Sequence, residues 1–503
     1  MNPRIAPIRN ILIVGGGTAG WMTAAALAKA HEGTECQIHL VESEQIGTVG
    51  VGEATIPSIA QFNQMLGLDE NELMAATQAT FKLGIEFVGW GAEGESYIHP
   101  FSTYGKGLDN IDFHHWWLRL YNEGKVPDLE QFSLAAAAAR AGKFARMAPL
   151  TEAPFDALVH AFQFDASLYA RYLRTYAETR GVRRIEGRIT NCKRRTEDGF
   201  IASIQLEDGS ELSADLFIDC SGFRSLLLGC ELGVGFENWS HWLPCNRAVA
   251  VASENPGELR PYTRSTARAA GWQWQIPLQH RTGNGHVFCD EYIDEDQATE
   301  ILLHNLPGPA LGEPKVLRFT AGRRHTFWEK NCVAIGLSAG FLEPLESTSI
   351  HLIQTAIQKL LALFPSRACE EEKRRIFNQR TVHEYEKIRD FLILHYWANK
   401  RPEPFWRYCA AANIPDHLAG KLSLYRETGH IFREDDELFS VPSWLAVLHG
   451  QGIRAHGYHP LTMKLPEQEL IGKLEEVRGG IQKVVSALPR HQDFIARYCA
   501  SLR

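Results

Sequence analysis

The stretch that most limits what this chain can fold into is NILIVGGGTAGWMTAAALAKA, residues 10–30. Ile11 to Val14 form an unbroken apolar run, the pattern of a parallel strand covered on both faces. Gly15, Gly17 and Gly20 follow, and then an alanine-rich segment that reads as a helix. In such a strand–turn–helix Gly15 permits the tight turn and Gly17 lets a pyrophosphate approach the backbone. Gly20 lets helix and strand pack closely. The amides of the first helical turn, at Thr18 and Ala19, are placed to receive phosphate, helped by the helix dipole. A second strand, CQIHLVES, ends at Glu42, where a carboxylate can bond a ribose and would repel a 2′-phosphate. A lone glycine motif is weak evidence. In this setting it predicts an α/β chain that binds a dinucleotide.

Which dinucleotide is decided further along. SADLFIDCSGFRS, residues 213–225, is an apolar strand ending at Asp219 and Gly222. It follows an alternating hairpin whose turn signal is Asp208–Gly209. KNCVAIGLSAGFLEPLESTSI, residues 330–350, is another buried strand that enters a glycine-rich turn at Gly336 and Leu337 and then a helix. Pieces so widely separated, converging on one nucleotide, suit FAD better than NAD, whose domain is contiguous. No second glycine fingerprint for NAD(P)H is visible, so reduced flavin is expected from a separate reductase.

At 503 residues the chain exceeds what one hydrophobic core usually supports. Its formal charge is -8 and no block of like charge stands out, which argues against a nucleic-acid partner. No window approaches the roughly eighteen apolar residues of a membrane span. The basic N-terminus precedes an apolar run too short for a secretory signal. Ten cysteines without a C-x-x-C pair suggest reduced thiols, no metal site and a cytoplasmic protein. Monomer and homodimer both stay open.

GWQWQIP, residues 271–277, alternates Trp272, Trp274 and Ile276 with two glutamines before Pro277. Strand periodicity puts both indoles on one face, which alone describes a half-buried strand with a heavy side. Lys82, in FKLGIEFVGW, reads alone as a surface lysine on an amphipathic helix. Glu346, in LEPLEST, reads alone as an acid near the start of the next helix. Together with GGGTAGW (15–21), GTVGVGEATIP (47–57, containing Ala54) and EPLESTSI (343–350), these segments resemble the successive landmarks of the flavin-dependent halogenases, the family that includes the tryptophan halogenases. The similarity covers nearly the whole chain. Its most specific element is W-x-W-x-I-P, which ordinary flavin hydroxylases lack.

The resemblance implies an FAD-binding Rossmann-type (GR2-like flavoprotein monooxygenase) core over residues 1–365, with a mixed-sheet region at about 235–315 carrying the tryptophans. A mainly helical region, 366–503, is expected to complete the substrate site. In this family reduced FAD, O2 and a halide (bromide or chloride) yield hypohalous acid, and the two indoles wall the flavin from the substrate. Lys82 is then the group that holds or polarises the oxidised halogen, and Glu346 takes the proton from the halogenated ring or steadies its cation. The halide is expected on the backbone amides of Thr348 and Ser349. Tryptophan halogenases usually have glycine at 349 and an aromatic at 351, whereas this chain has Ser349 and His351.

His99 and Phe101, in YIHPF, and Phe439 match positions that stack an arene, although YIHPF alone equally describes a loop anchored by a buried Phe. The segment YRETGHIFREDDELFSVPSW is shorter than in the tryptophan enzymes and lacks their tyrosine pair. Glu434, Asp435 and Asp436 within it read as a solvated turn. A closed pocket without partners for both charges of a zwitterion binds free tryptophan poorly. Indole, or an indole carried on another compound, is the expected substrate. The rival readings are a hydroxylating flavin monooxygenase and a flavin-binding protein without turnover. The first lacks the tryptophan wall and usually has Asp after the glycine of GLSAG; the second has no use for Lys82 and Glu346.

Overall fold

A computed structural model describes residues 6–45, 52–434 and 436–501. The segments at 10–14, 183–219 and 328–334 meet in one six-stranded sheet. Its order is Trp328–Glu329, Cys332–Ala334, Leu216–Asp219, Asn10–Val14, Gln37–Glu42, Arg183–Glu186. All neighbours are parallel except the first pair at the edge. Ile11, Ile13, Leu216, Phe217 and Ile218 are fully buried, as strands covered on both faces must be. The fold is therefore α/β with a Rossmann-like core. The helix Thr18–Ala30 packs between this sheet, the helix Ala166–Glu178 and the helix Ser349–Ala362. Gly15 has φ +106°, and a Cβ there would fall 2.3 Å from the Cys220 carbonyl oxygen. A Cβ on Gly20 would fall 1.9 Å from Gly15 O, so strand and helix are as close as glycine allows.

The second large sheet has the order Lys315–Arg318, Arg247–Ser253, Thr282–Phe288, Gly271–Pro277, Thr263–Arg268, Gly84–Val88, Ser96–Pro100. Its last two strands come from far earlier in the chain than the 235–315 region, and Gly84–Val88 joins Thr263–Arg268 in parallel. That long-range pairing carries His99 onto the sheet that holds the tryptophans. A small third sheet of Gly52–Ala54, Ala161–Asp165 and Thr80–Lys82 places Lys82 opposite Ala161. The hairpin Ile201–Leu206/Glu211–Ser213 turns through Gly209 at φ +84°.

From residue 371 helices dominate: Glu371–Trp397, Pro404–Ala410, Asp416–Thr428, Val441–Gly450, Glu467–Ala487 and His491–Tyr498. The helix Glu467–Ala487 buries Leu470, Leu474, Val477 and Ile481, one stripe at helical spacing. Glu371–Trp397 is different in its second half, where every residue from Ile388 to Tyr396 is buried. That half runs through the interior and delivers polar side chains there. Among the described residues no helix is long and apolar enough to cross a membrane.

Candidate active site

Lys82 ends its strand at 0% exposure, so it is neither helical nor on the surface. Its Nζ donates to the Thr55 carbonyl at 3.1 Å and to Ser347 Oγ at 2.7 Å, and lies 5.1 Å from the centre of the Phe101 ring. Burial pulls the ammonium down to about 7, although the Glu346 carboxylate works to raise it. Ser347 sits at φ +59°, directly after the turn Pro344–Glu346 and before the helix Ser349–Ala362. The bend turns successive side chains to different sides: Glu346 one way, Ser347 toward Lys82.

Glu346 is 1% exposed and lies between two imidazoles. His99 Nδ1 is 2.9 and 3.0 Å from its two oxygens. His395 Nε2, from the buried half of the helix Glu371–Trp397, is 2.8 Å from Oε1, near enough to pair charge without hydrogen-bond alignment. Burial alone would raise the Glu346 carboxyl, but His99 and His395 together overcome it and bring it to about 2. Glu343, three residues earlier and equally buried, has only neutral donors. Its Oε2 accepts from Trp272 Nε1 at 3.0 Å and from the Tyr396 hydroxyl. There burial prevails and holds the carboxyl up at about 7.

The strand Gly271–Pro277 runs between Thr263–Arg268 and Thr282–Phe288, central in its sheet. Its glutamine face is covered as well, because Gln273 is buried with Oε1 accepting from Arg268; the expected exposed glutamine face is therefore only partly present. Trp272 and Trp274 lie on the other face, 6.1 Å apart at 58°. Trp272 is tethered through its N–H, while Trp274 Nε1 has no protein partner among the described residues. Gly285, opposite Trp274, makes room for the indole: a Cβ there would fall 2.0 Å from Trp274 Cζ2. Ile276 and Pro277 are buried at the strand's end, against Gly52 and the Thr80 hydroxyl respectively.

A tryptophan halogenase family model matches residues 10–467. The chain belongs to the tryptophan halogenase family. Tryptophan 6-halogenase SttH of Streptomyces toxytricini is 34% identical over 97% of both chains. Two solved flavin-dependent halogenases are more similar. Xcc4156 of Xanthomonas campestris is 46% identical, covers 99% of both chains and superposes with a TM-score of 0.95. BrvH of Brevundimonas sp. BAL3 is 47% identical over 97% of this chain and 99% of its own, with a TM-score of 0.94. The protein is accordingly an enzyme, an oxidoreductase of the flavin-dependent halogenase kind.

On the nucleotide side of this halogenase, the helix Thr18–Ala30 has no side-chain cap and no acid in its first turn. Among the described residues, a Cβ on Gly17 would meet nothing within 4 Å. The backbone amides of Thr18 and Ala19 thus stand at an uncapped helix start with open space before them, which fits a pyrophosphate. Leu337, in the turn after Gly336, is 39% exposed, an apolar side chain left for a ring to cover. Ala54 is buried on the edge strand of the small sheet, opposite Gln163. Glu42 lies over Gly16 and already pairs with Arg184 Nε at 2.5 Å. Asp219 ends the strand expected to converge on the nucleotide. Its fully buried oxygens accept from Ser221 N and Oγ and from Leu227 and Leu228 N, so its carboxylate shapes the turn.

Where the halide is expected, Thr348 Oγ1 is buried without a partner among the described residues and does not cap the helix Ser349–Ala362, so polar valence is left over at that helix start. Ser349 is half-buried, and His351 binds Ser58 Oγ at 2.9 Å and Glu384 at 3.3 Å, tying the helix to the Pro57–Ser58 turn. Phe439 stacks on Phe391 at 3.8 Å and lies 6.3 Å from His99. Of the expected solvated turn, Asp436 is exposed and Glu434 is bound by Lys387 and His417, while Asp435 lies outside the described residues. Ser347, His395, Tyr396 and Phe391 were not singled out from sequence. Ser347 was visible in the EPLESTSI motif; the other three stand on a helix with no local signal.

Proposed function

We propose that this enzyme uses FADH2 from a separate reductase, O2 and bromide or chloride to halogenate indole or an indole-bearing compound. The observation that carries the proposal is the buried turn that sets Lys82 and Glu346 on either side of Ser347, with His99 and Phe439 beyond Glu346. Bound reduced FAD supplies the electrons that convert O2 and halide to hypohalous acid. The amides at Thr348 and Ser349 hold the halide, and the Thr348 hydroxyl is free to assist. Lys82, held near neutrality, bonds and polarises the hypohalous oxygen, or as the free amine accepts the halogen. Glu346, ionised throughout the neutral range, stands beside the ring that becomes positive and accepts its proton as the carbon–halogen bond forms. The hypohalous oxygen leaves as water.

The aromatic wall at Trp272 and Trp274 keeps the arene from the flavin, so oxygen transfer to the ring gives way to halogen transfer. The substrate class rests on the arene side, where His99, Phe391 and Phe439 present rings and no tyrosine pair awaits an amino acid. Two relatives described simply as flavin-dependent halogenases resemble the chain more than the tryptophan 6-halogenase does, which supports the same reading. The test is one tube with a flavin reductase, halide, indole and tryptophan, products read by mass. Halogenated indole should predominate, most at the electron-rich pyrrole carbon. Preferential tryptophan halogenation overturns the substrate assignment, and hydroxylated product alone overturns the reaction.

A further inference from the structure

Beyond Phe439 the rings continue away from Glu346. Phe391, stacked on Phe439, meets Trp444 edge-on at 4.9 Å, and Lys421 Nζ lies 4.3 Å from the centre of the Trp444 ring. Lys421, from the helix Asp416–Thr428, donates to both oxygens of Glu437 at 2.7 and 2.8 Å. Both side chains are 3% exposed. A run of aromatic faces that begins at the proton-accepting carboxylate therefore ends on a sealed ion pair. Glu437 is two residues before Phe439, so the pair also fixes the segment that carries that ring. Glu437 lies within 4.8 Å of Glu434 and His417, but ammoniums already occupy both carboxylates, Lys421 on one and Lys387 on the other.

We propose that Lys421 and Glu437 together set the charge of the substrate's tail, admitting arenes whose substituent is neutral and excluding ammonium and carboxylate groups. The inference rests on the reading of His99, Phe391 and Phe439 as the arene site. An arene held there with its reacting carbon toward Glu346 directs its substituent along the rings toward this pair. A cationic tail meets an ammonium whose counter-charge is already taken, and an anionic tail meets a carboxylate in the same condition. In a site closed to water neither repulsion is screened. Breaking the pair to accommodate a tail leaves one buried charge without a partner. An internal pair thus replaces the two opposed charges that a zwitterionic amino acid would need to find empty. Trp444 Nε1, buried without a protein partner among the described residues, leaves one neutral donor at this end.

The test is charge selectivity, which a merely structural tie would not alter. Indole, tryptamine and indole-3-propionate are titrated by calorimetry against the full-length protein and its Lys421→Gln and Glu437→Gln variants. Their turnover is normalised to each variant's own rate with indole. Lys421→Gln exposes a carboxylate, so tryptamine should gain about tenfold relative to indole while indole-3-propionate gains nothing. Glu437→Gln exposes an ammonium and should give the reverse. Parallel shifts for all three ligands, or none, overturn the proposal and leave the pair a structural staple. Wild-type protein gives a second arm that does not depend on the variants folding. Tryptophol should bind about tenfold more tightly than tryptamine, and indole-3-acetamide than indole-3-acetate. Equal affinity within either couple overturns the proposal. Binding needs no turnover, so an enzyme that binds these indoles in the expected order and halogenates none of them contradicts the proposed function and leaves this inference standing.

Discussion

Glu343 and Glu346 lie three residues apart at one short turn, both buried, yet one is held up at about 7 and the other down at about 2. Burial acts on both in the same direction. The difference is the company each keeps. Glu343 faces an indole N–H and a phenol, which hydrogen-bond without supplying charge, and one of its oxygens has no partner among the described residues. Glu346 faces His99 and His395. The same long helix supplies both environments, with His395 reaching one acid and its neighbour Tyr396 the other. One turn therefore carries an ionised carboxylate toward His99 and one that titrates near neutrality toward Trp272. Neutral donors suit a wall that must exclude water and ions. Imidazoles that pull the carboxyl down suit the proposed base, which must be ready at neutral pH.

The sharpest way to break this comparison is to make both acids amides. Glu346→Gln should lower halogenation by about a hundredfold or more, the range of a lost general base, while Glu343→Gln changes it by less than about tenfold. Lys82→Ala belongs with the first and should cost about a thousandfold. Single-turnover assays with reduced flavin supplied directly read these rates, and flavin fluorescence checks that binding survives. Equal losses from Glu343→Gln and Glu346→Gln would mean that the wall-side acid takes part in proton transfer and that the division of roles is wrong.

The second contrast is in stability against pH. Glu343 keeps its proton longer when folded, so between its ordinary 4.5 and about 7 the native state binds more protons than the unfolded chain. Its contribution therefore falls as pH rises through that window. Glu346 gives up its proton more readily when folded, so its contribution is present above 4.5 and is lost as pH falls toward 2. Glu343→Gln should then be more stable than wild type above pH 7, by up to about 3 kcal/mol, with the advantage vanishing near pH 4.5. Glu346→Gln should flatten the acid limb instead. Urea titrations at pH 3, 4.5, 6 and 8 separate the two. A Glu343→Gln protein with an unaltered pH profile would show that Glu343 is not held protonated.

Much of this could be seen in the sequence, and the rest was hidden for identifiable reasons. The parallel sheet was legible because three of its strands, at 11–14, 216–218 and 332–335, are apolar runs that lead into glycine turns, and Gly15 and Gly20 are required by contacts under 2.5 Å. Lys82 and Glu346 stood out through their motifs, and the structure brings them to one turn. As an isolated residue, Lys82 looked like a solvated helix lysine, because the three-residue strand that buries it is too short to show a period. His395 and Tyr396 were invisible. Helix periodicity reports which face is buried, and this half-helix is buried all round. The addition of Gly84–Val88 and Ser96–Pro100 to the tryptophan sheet is a pairing across about 180 residues, which local pattern cannot encode. Asp219 is the opposite case, an acid after a strand near a nucleotide turn whose four donors are all local backbone and side chain.

The smallest effect is the most selective. Trp272 and Trp274 share a face, a strand and nearly complete burial, but among the described residues only Trp272 spends its N–H on protein, donating to Glu343 and Tyr396. Changing either to Phe removes a similar volume and similar packing, so the individual losses say little. Their difference isolates the tether. Trp272→Phe should destabilise by about 1–2 kcal/mol more than Trp274→Phe, the usual cost of leaving a buried acceptor short of its donor. The gap should widen at pH 8 relative to pH 5, because an ionised Glu343 is the stronger acceptor and suffers more from losing a donor. In Glu343→Gln the pH dependence of the gap should disappear while the gap itself remains. If Trp274→Phe proves as costly as Trp272→Phe at every pH, the wall is held by packing alone and the Glu343 carboxyl is a bystander to it.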